Sequence, residues 1–111
     1  MMKEGEIWEV QFDGQGHEYQ GSRPAVIIQS NEKLEVATVV TIMPLTSKVE
    51  KKYNDDIFVA KNSKNMLWRN SIVRVGEIQS FGLQRFIKKI GTMDNEILFE
   101  IKQYLKKHFG I

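Results

Sequence analysis

The apolar residues of this chain follow two different periods, and the change from one to the other comes only near the end of the sequence. In residues 7–12, Trp8, Val10 and Phe12 alternate with polar side chains, which is typical of a half-buried strand. Further strand-like segments occupy residues 25–29, 36–43, 57–59 and 71–80, with residues 85–93 as a weaker candidate. Because no helical stripe separates the early strands, the pattern argues against a parallel α/β fold.

The two prolines and a glycine-rich segment set the expected limits of these strands. Proline lacks the backbone N–H that an interior strand position needs, so we expect Pro24 to precede a strand and Pro44 to end one. Residues 13–21 (DGQGHEYQG) contain three glycines and are predicted to form a loop. Residues 47–65 are polar and rich in lysine, which indicates loops on both sides of the short strand at residues 57–59.

The C-terminal segment has the period of a helix. Asp94 precedes this segment and suits an N-cap, and Gly110 suits the residue just beyond its end. The apolar stripe consists of Ile97, Leu98, Ile101 and Leu105. The basic residues that suit the last turn are Lys106, Lys107 and His108. Short strands followed by one helix predict a mainly β barrel or roll with a C-terminal α-helix, in a single domain over residues 1–111.

The composition excludes several classes of site. Hydrophobic residues make up 41% of the chain and charged residues 27%, which is typical of a globular domain rather than a disordered one. Cysteine is absent, which excludes disulfides, thiolate metal ligands and cysteine nucleophiles. The two histidines, His17 and His108, lie near opposite ends of the chain, so we predict no metal or other cofactor. The net charge of +2 is small, so a polyanion site would need local clustering of basic residues.

Neither a membrane span nor a signal peptide is predicted. The longest mainly apolar stretch, residues 36–45, has about ten residues, whereas a membrane helix needs about 20. The first ten residues, MMKEGEIWEV, contain acids where a signal peptide carries a basic region followed by an apolar one. A cytoplasmic protein without a membrane partner is the expectation.

The loop between the first two strands concentrates groups that can do chemistry. An imidazole (His17), a carboxylate (Glu18) and a guanidinium (Arg23) lie within eight residues of one another. Loops on a rigid sheet often carry functional sites. Taken one at a time, however, each of these side chains is equally explained as a solvated loop residue.

Four segments in order along the chain resemble one known family. They are GEIWEVQFD (residues 5–13), GHEYQGSRPAVII (16–28), MPLTS (43–47) and SIVRVGEIQSF (71–81). The second is similar to a Gly-His/Ser-Glu-Gln-x-Gly-x-Arg-Pro signature with Tyr19 as the changed position, and the third to a Pro-hydrophobic-Thr-Ser stretch. Together they resemble the MazF/PemK/Kid family of type II toxin-antitoxin endoribonuclease toxins.

The resemblance implies an SH3-like barrel with a C-terminal helix, a homodimer, a cognate antitoxin that covers the cleft, and metal-independent cleavage of single-stranded RNA. In such cleavage the 2′-OH attacks the adjacent phosphate and leaves a 2′,3′-cyclic phosphate, which requires a base, an acid and donors to the phosphorane. Arg23 is then expected to hold the phosphate through its planar guanidinium. The hydroxyl of Thr46 is expected to donate to the same phosphate, with help from Ser47; the sequence without the resemblance favours a turn-capping hydroxyl at Thr46 instead.

Other residues have expected roles in the same site. In an extended strand, Arg74 would face the side opposite to its valine neighbours and point into the cleft, unless it is simply a solvated strand residue. Lys48 belongs to a lysine-rich loop that suits either RNA steering or plain solvation. Among the aromatic residues, Tyr19 on the loop is the preferred base-stacking candidate, Trp8 is expected in the core, and Trp68 and Phe81 are further candidates.

The chain departs from the family pattern next to Arg74. Gly76 stands where relatives carry an acid, Glu77 stands at a glutamine position, and Gln79 replaces a basic residue. On a continuous strand Glu77 would face away from the cleft unless a bulge re-aims it. The general base is therefore expected from the loop, as His17 or Glu18, with His17 preferred because imidazole has a pKa of about 6.5.

The same departures leave two alternatives open. One is an inactive, RNA-binding family member in which Glu77 and Gln79 only support RNA contacts. The other is a non-catalytic toxin of the same barrel class that binds DNA gyrase through its last helix. No binding surface of that kind is recognisable in residues 104–108.

Overall fold

The structure, a computed structural model, describes residues 1–12 and 21–111. Its strands are β1 Glu6–Phe12, β2 Gly21–Ile27, β3 Val39–Thr46, β4 Ile57–Val59, β5 Ser71–Val73, β6 Gln79–Gly82 and β7 Phe86–Thr92. Its helices are α1 Asn31–Leu34 and α2 Asn95–Phe109, with short 3₁₀ turns at Val49–Lys51 and Leu83–Arg85. Within these residues, no helix has the length and apolar character needed to cross a membrane.

The strands form one antiparallel sheet in the order β4-β5-β3-β2-β1-β7, with β6 paired to β3 outside this path. Strand β3 has β2 on one side and two successive partners on the other. Residues 39–42 pair with β6, and residues 45–46 pair with β5. This architecture confirms the predicted mainly β, SH3-like fold with a C-terminal helix.

Both faces of the central strands are buried, because alternate residues of a strand point to opposite faces. One core lies under α2 and contains Val26, Met43, Leu45 and Ile101. The second lies on the opposite face and contains Ala25, Ile27, Val40, Ile42 and Phe86. Strands β2 and β3, which carry the candidate site residues Arg23 and Thr46, are therefore fixed from both sides.

The two prolines lie inside strands, which corrects the expectation from the sequence. Pro24 pairs with Glu9 inside β2, and Pro44 pairs with Ala25 inside β3. Pro44 is tolerated because it lies where β3 changes partner from β6 to β5. There the Arg74 amide donates to the Pro44 carbonyl at 2.9 Å, and no N–H of residue 44 is required in return.

The missing N–H of Pro44 also explains why residues 71–80 form two strands instead of the predicted one. In a continued ladder, residue 44 would donate to the Arg74 carbonyl. That carbonyl instead accepts from the Glu77 amide at 3.1 Å, which closes a turn directly after β5. The chain resumes as β6 only at Gln79.

Smaller corrections concern the connections. The strand predicted at residues 36–43 starts only at Val39, because Val36 is exposed and follows the unpredicted helix α1, where Ser30 caps the Lys33 amide. Asp94 occupies the N-cap of α2, but its carboxylate makes no cap hydrogen bond and accepts from other side chains instead. Gly110 ends α2 in the left-handed conformation, as predicted.

One buried carboxylate supports the edge of β1. Burial alone would raise the pKa of Glu6, but hydrogen bonds from the Trp8 indole, the Lys3 amide and the Lys89 ammonium group outweigh it and hold the pKa below its ordinary value near 4.5. Glu6 is therefore an ionised, bonded group at neutral pH. Trp8 is tied into this contact and is half-buried, which fits its expected place at the core.

Candidate active site

Three adjoining cavities meet at Arg23, on the surface formed by β2, the end of β3 and the loop before β5. They have volumes of about 260, 250 and 410 Å³, and Arg23 lines each of them. We call them the first, second and third cavity and, together, the Arg23 groove. The expected loop position of Arg23 is corrected, because the residue lies in β2 opposite Val10 and is anchored by the sheet.

Thr46 lies beside Arg23 in the first and second cavities. It is the last residue of β3 and is buried, and its Oγ1 accepts a hydrogen bond from the Lys48 amide at 3.2 Å. The hydroxyl therefore caps a turn. This bond uses an acceptor lone pair, so the hydroxyl proton can still be donated to a group in the cavity.

Ser47 and Lys48 follow Thr46 and line different parts of the groove. Ser47 lines the second cavity and Lys48 lines the first, and both residues are exposed. Both belong to the turn that the Thr46 hydroxyl fixes. The structure thus brings the predicted residues of the MPLTS segment next to Arg23.

Arg74 differs from its predicted setting. It follows β5 and is buried, and its Nη1 donates to Asp56 Oδ2 at 2.6 Å and to the Lys51 carbonyl at 2.8 Å. The guanidinium also lies 4.3 Å from the centre of the Tyr53 ring. Arg74 lines the first cavity, but it also fastens the segment that follows Thr46 to the sheet.

Glu77 lies on the same side as Arg74, which corrects the prediction that it faces away. The turn closed by the Glu77 amide and the Arg74 carbonyl brings the two side chains together, with Glu77 Oε2 4.0 Å from Arg74 Nε. No bulge at Gly76 is involved. Among the described residues, Glu77 is the carboxylate that lines the first cavity together with Arg23 and Thr46.

Of the other predicted site residues, one lies away from the Arg23 groove and three lie outside the residues that the structure describes. Gln79 lies in β6 opposite Ile42 and lines none of the three cavities. His17, Glu18 and Tyr19 lie outside the described residues.

Several residues in or beside the groove carry no sequence pattern that assigns them to a functional site. Asp56 and Tyr53 stood in a polar loop, and Lys88 and Lys89 in the weakest strand candidate. In the structure they bind Arg74 or line the third cavity. The basic residues that line the groove are Arg23, Lys48, Lys51, Arg69, Arg74, Lys88 and Lys89, and the acidic ones are Glu9 and Glu77.

This excess of positive charge around Arg23 suits a polyanion. Within residues 1–12 and 21–111, no three His, Asp or Glu side chains are grouped so that they could hold a metal ion. The side chains that line the groove can donate hydrogen bonds, stabilise negative charge and accept a proton.

A small antiparallel barrel that ends in a helix and carries a basic groove at Arg23 and Thr46 defines a class of protein. The family model for PemK-like, MazF-like toxins of type II toxin-antitoxin systems matches residues 3–109, and the chain belongs to this family. The resemblance noted in the sequence is thereby confirmed.

Individual relatives are similar to this chain over all or nearly all of its length. "Endoribonuclease MazF9" of Mycobacterium tuberculosis is 28% identical over 117 residues, which cover 100% of this chain and 98% of that protein. The crystal structure of MazF from Deinococcus radiodurans matches with a TM-score of 0.83 and 21% identity over 99% of this chain and 97% of that one. An endoribonuclease from a mycobacterial species, in complex with its cognate antitoxin, matches with a TM-score of 0.78 and 16% identity, over 100% and 97% of the two chains.

Proposed function

We propose that this chain is a metal-independent endoribonuclease toxin that cleaves single-stranded RNA. The observation that carries the proposal is the first cavity, where Arg23, Thr46 and Glu77 line one space of about 260 Å³ in a member of this toxin family. A curated relative over the whole chain is named an endoribonuclease. Seven basic residues line the three cavities of the groove, which suits an RNA backbone.

The proposed reaction is an attack of the 2′-OH on the adjacent phosphorus. The 2′-O–P bond forms, the P–O5′ bond breaks, and a 2′,3′-cyclic phosphate and a 5′-OH remain. Arg23 holds the phosphate and stabilises the charge of the phosphorane, and the Thr46 hydroxyl donates to a phosphate oxygen. Arg74 adds positive charge at the wall of the first cavity. It also holds the segment that follows Thr46 in place through its bonds to Asp56 and to the Lys51 carbonyl.

Glu77 takes the base role in this proposal. Among the described residues it is the carboxylate that lines the first cavity, and it can accept the proton of the 2′-OH. His17 is the proposed proton donor to the leaving O5′. This assignment reverses the expectation from the sequence. The reason is the turn after Arg74, which moves Glu77 to the side of the cleft.

The proposed partners follow from the family. Toxins of type II systems are paired with an antitoxin, and the similar mycobacterial endoribonuclease is in complex with its cognate antitoxin. We therefore propose a cognate antitoxin for this chain. A homodimer and a cytoplasmic location, where RNA is available, belong to the same proposal.

Cleavage of a single-stranded RNA with and without EDTA tests the reaction. We expect equal rates in both, a cyclic phosphate on the product, and no cleavage where the nucleotide on the 5′ side of the cut is 2′-deoxy. Cleavage of the deoxy substrate at the normal rate would contradict the mechanism.

The non-catalytic alternative has one observation in its favour, because α2 exposes the rings of Phe99 and Phe109. A toxin that binds another protein through this helix would not cleave RNA. It would lose its effect on growth in a Phe99→Ala variant and keep that effect in Arg23→Ala. The endoribonuclease predicts the reverse.

A further inference from the structure

The loop formed by residues 61–70 is held together by two asparagine side chains. Asn62 Oδ1 accepts from the Lys64 and Asn65 amides at 2.9 and 2.8 Å. Asn65 Oδ1 accepts from the Asn62 and Leu67 amides at 3.0 Å each. Asn65 is fully buried, so these bonds are shielded from competing water.

The same loop is fastened to the rest of the protein. Asn65 Nδ2 donates to the Ala60 carbonyl at 2.9 Å and to Asp94 at 3.3 Å, and Asn62 Nδ2 donates to Asp94 at 2.9 Å. The loop backbone also passes so close to Gly91 that a Cβ there would collide with the Asn65 carbonyl. These contacts therefore hold residues 61–70 rigidly, although the segment has no regular secondary structure.

This rigid loop presents an exposed tryptophan. Leu67 points into the core, whereas Trp68 is 87% exposed and Met66 is also exposed. Met66 has a φ of 54°, a left-handed conformation that residues with side chains seldom adopt. Burial does not account for Trp68, because its side chain contributes little to the core, and a large exposed aromatic ring on a fixed support is a feature of binding surfaces.

Trp68 lies directly beside the phosphate-binding end of the groove. It lines the second cavity together with Arg23 and Thr46, and it lines the third cavity together with Arg23, Lys88 and Lys89. The ring therefore lies where the second cavity adjoins the third, which has a volume of about 410 Å³ and is lined by Lys88, Lys89 and Glu9. Apolar side chains of Pro24, Leu67 and Ile90 line the same pocket.

We infer that Trp68 is a stacking platform for an unpaired base next to the cleaved phosphate, with Lys88 and Lys89 close to the backbone of that nucleotide. This inference rests on the proposed function. A flat aromatic face surrounded by cations matches single-stranded nucleic acid, which offers a base and a phosphate at each step. Because every base has a face that can stack, Trp68 contributes affinity and not sequence preference.

The kinetic test separates this role from catalysis. We expect Trp68→Ala to raise KM for a single-stranded RNA about tenfold, within the range known for loss of one base stack, and to leave kcat within about twofold. Trp68→Phe keeps an aromatic face and is expected to recover most of the loss, whereas Trp68→Leu is not. Phe99→Ala, which removes an exposed ring from α2 outside the groove, is the matched control and is expected to leave KM unchanged.

A second test does not require cleavage. A ten-nucleotide single-stranded DNA of mixed sequence is expected to quench the tryptophan fluorescence of the wild-type protein, and an abasic chain of the same length is not. The Trp68→Phe variant retains Trp8 and is expected to show no quenching. Quenching without any ribonuclease activity would retain the stacking platform and reject the proposed reaction.

Three results would overturn the inference. One is an unchanged KM together with unchanged fluorescence on addition of the DNA. Another is a Trp68→Ala variant that converts a dimer to a monomer in sedimentation velocity, because the ring would then be part of an interface between copies. A Trp68→Ala variant with lower kcat at unchanged KM would also reject a platform that acts through affinity.

Discussion

Removal of Asp56 should destabilise the fold far more than an ordinary surface ion pair would. The side chains of Asp56 and Arg74 are 4% and 7% exposed, and Asp56 Oδ2 accepts from both Arg74 Nη1 and the Tyr53 amide. Asp56→Ala leaves a buried guanidinium without this carboxylate and the amide without its acceptor. Breaking a buried pair in this way costs about 3–5 kcal/mol of unfolding free energy.

The remaining contacts of Arg74 place the expected value at the lower end of that range. Its bond to the Lys51 carbonyl, its contact with the Tyr53 ring and the Glu77 carboxylate at 4.0 Å all survive the substitution. Glu77 is 43% exposed, so water screens its contribution. We expect a loss of about 3 kcal/mol, which corresponds to a decrease of about 13 °C in Tm for a domain of this size.

Urea denaturation followed by circular dichroism measures this loss. Lys102→Ala is the control, because it breaks the more exposed Lys102–Glu4 pair at 3.3 Å and should cost less than about 1 kcal/mol. The double variant Asp56→Ala/Arg74→Met removes both charges and should be more stable than Asp56→Ala alone. The reasoning fails if Asp56→Ala costs no more than the control, or if the second substitution adds a further loss.

The other predictions concern the reaction and the pH dependence of stability. Arg23→Ala should lower kcat/KM at least about 10²-fold while the circular dichroism spectrum stays unchanged, and Arg85→Ala, an arginine outside the groove, should retain full activity in the same RNA cleavage assay. Glu77→Gln should lower kcat about 10²-fold or more, and a loss confined to His17→Ala would return the base role to the loop. The pKa of Glu6 is lowered in the folded state, so the stability it contributes is complete above its ordinary pKa near 4.5 and is lost as the pH falls through its folded pKa. Glu6→Gln should therefore be less stable than wild type at pH 7, and the difference in urea midpoint should shrink on acidification below about pH 4.5; a difference that grows would show the opposite linkage.

The sequence was most informative where one physical pattern dominates. Alternation of apolar residues located β1, and the helical stripe with Gly110 located α2, because in both cases burial of one face determines the conformation. The family motifs also brought Arg23 and Thr46 together, which the shared cavities show.

The errors arose where a backbone group had a partner distant in sequence. The sequence predicts that a strand ends at Pro44, but the missing N–H of this residue is tolerated where β3 changes its neighbouring strand. At the same point the chain turns after Arg74, and this turn brings Glu77 into the cleft. No local sequence pattern indicates this turn. Asp94 similarly has the composition of a cap, but Asn62 and Asn65 occupy its oxygens.

The 61–70 loop separates the residues that maintain its shape from the residues that it displays. A specific hydrogen bond or a close approach constrains each residue that maintains the loop, namely Asn62, Asn65, Gly91 and Asp94. The exposed side chain of Trp68 takes no part in these contacts. A change at position 68 is therefore nearly independent of folding. Exchange of this exposed side chain can change the contacts that the surface offers while the supporting framework stays the same.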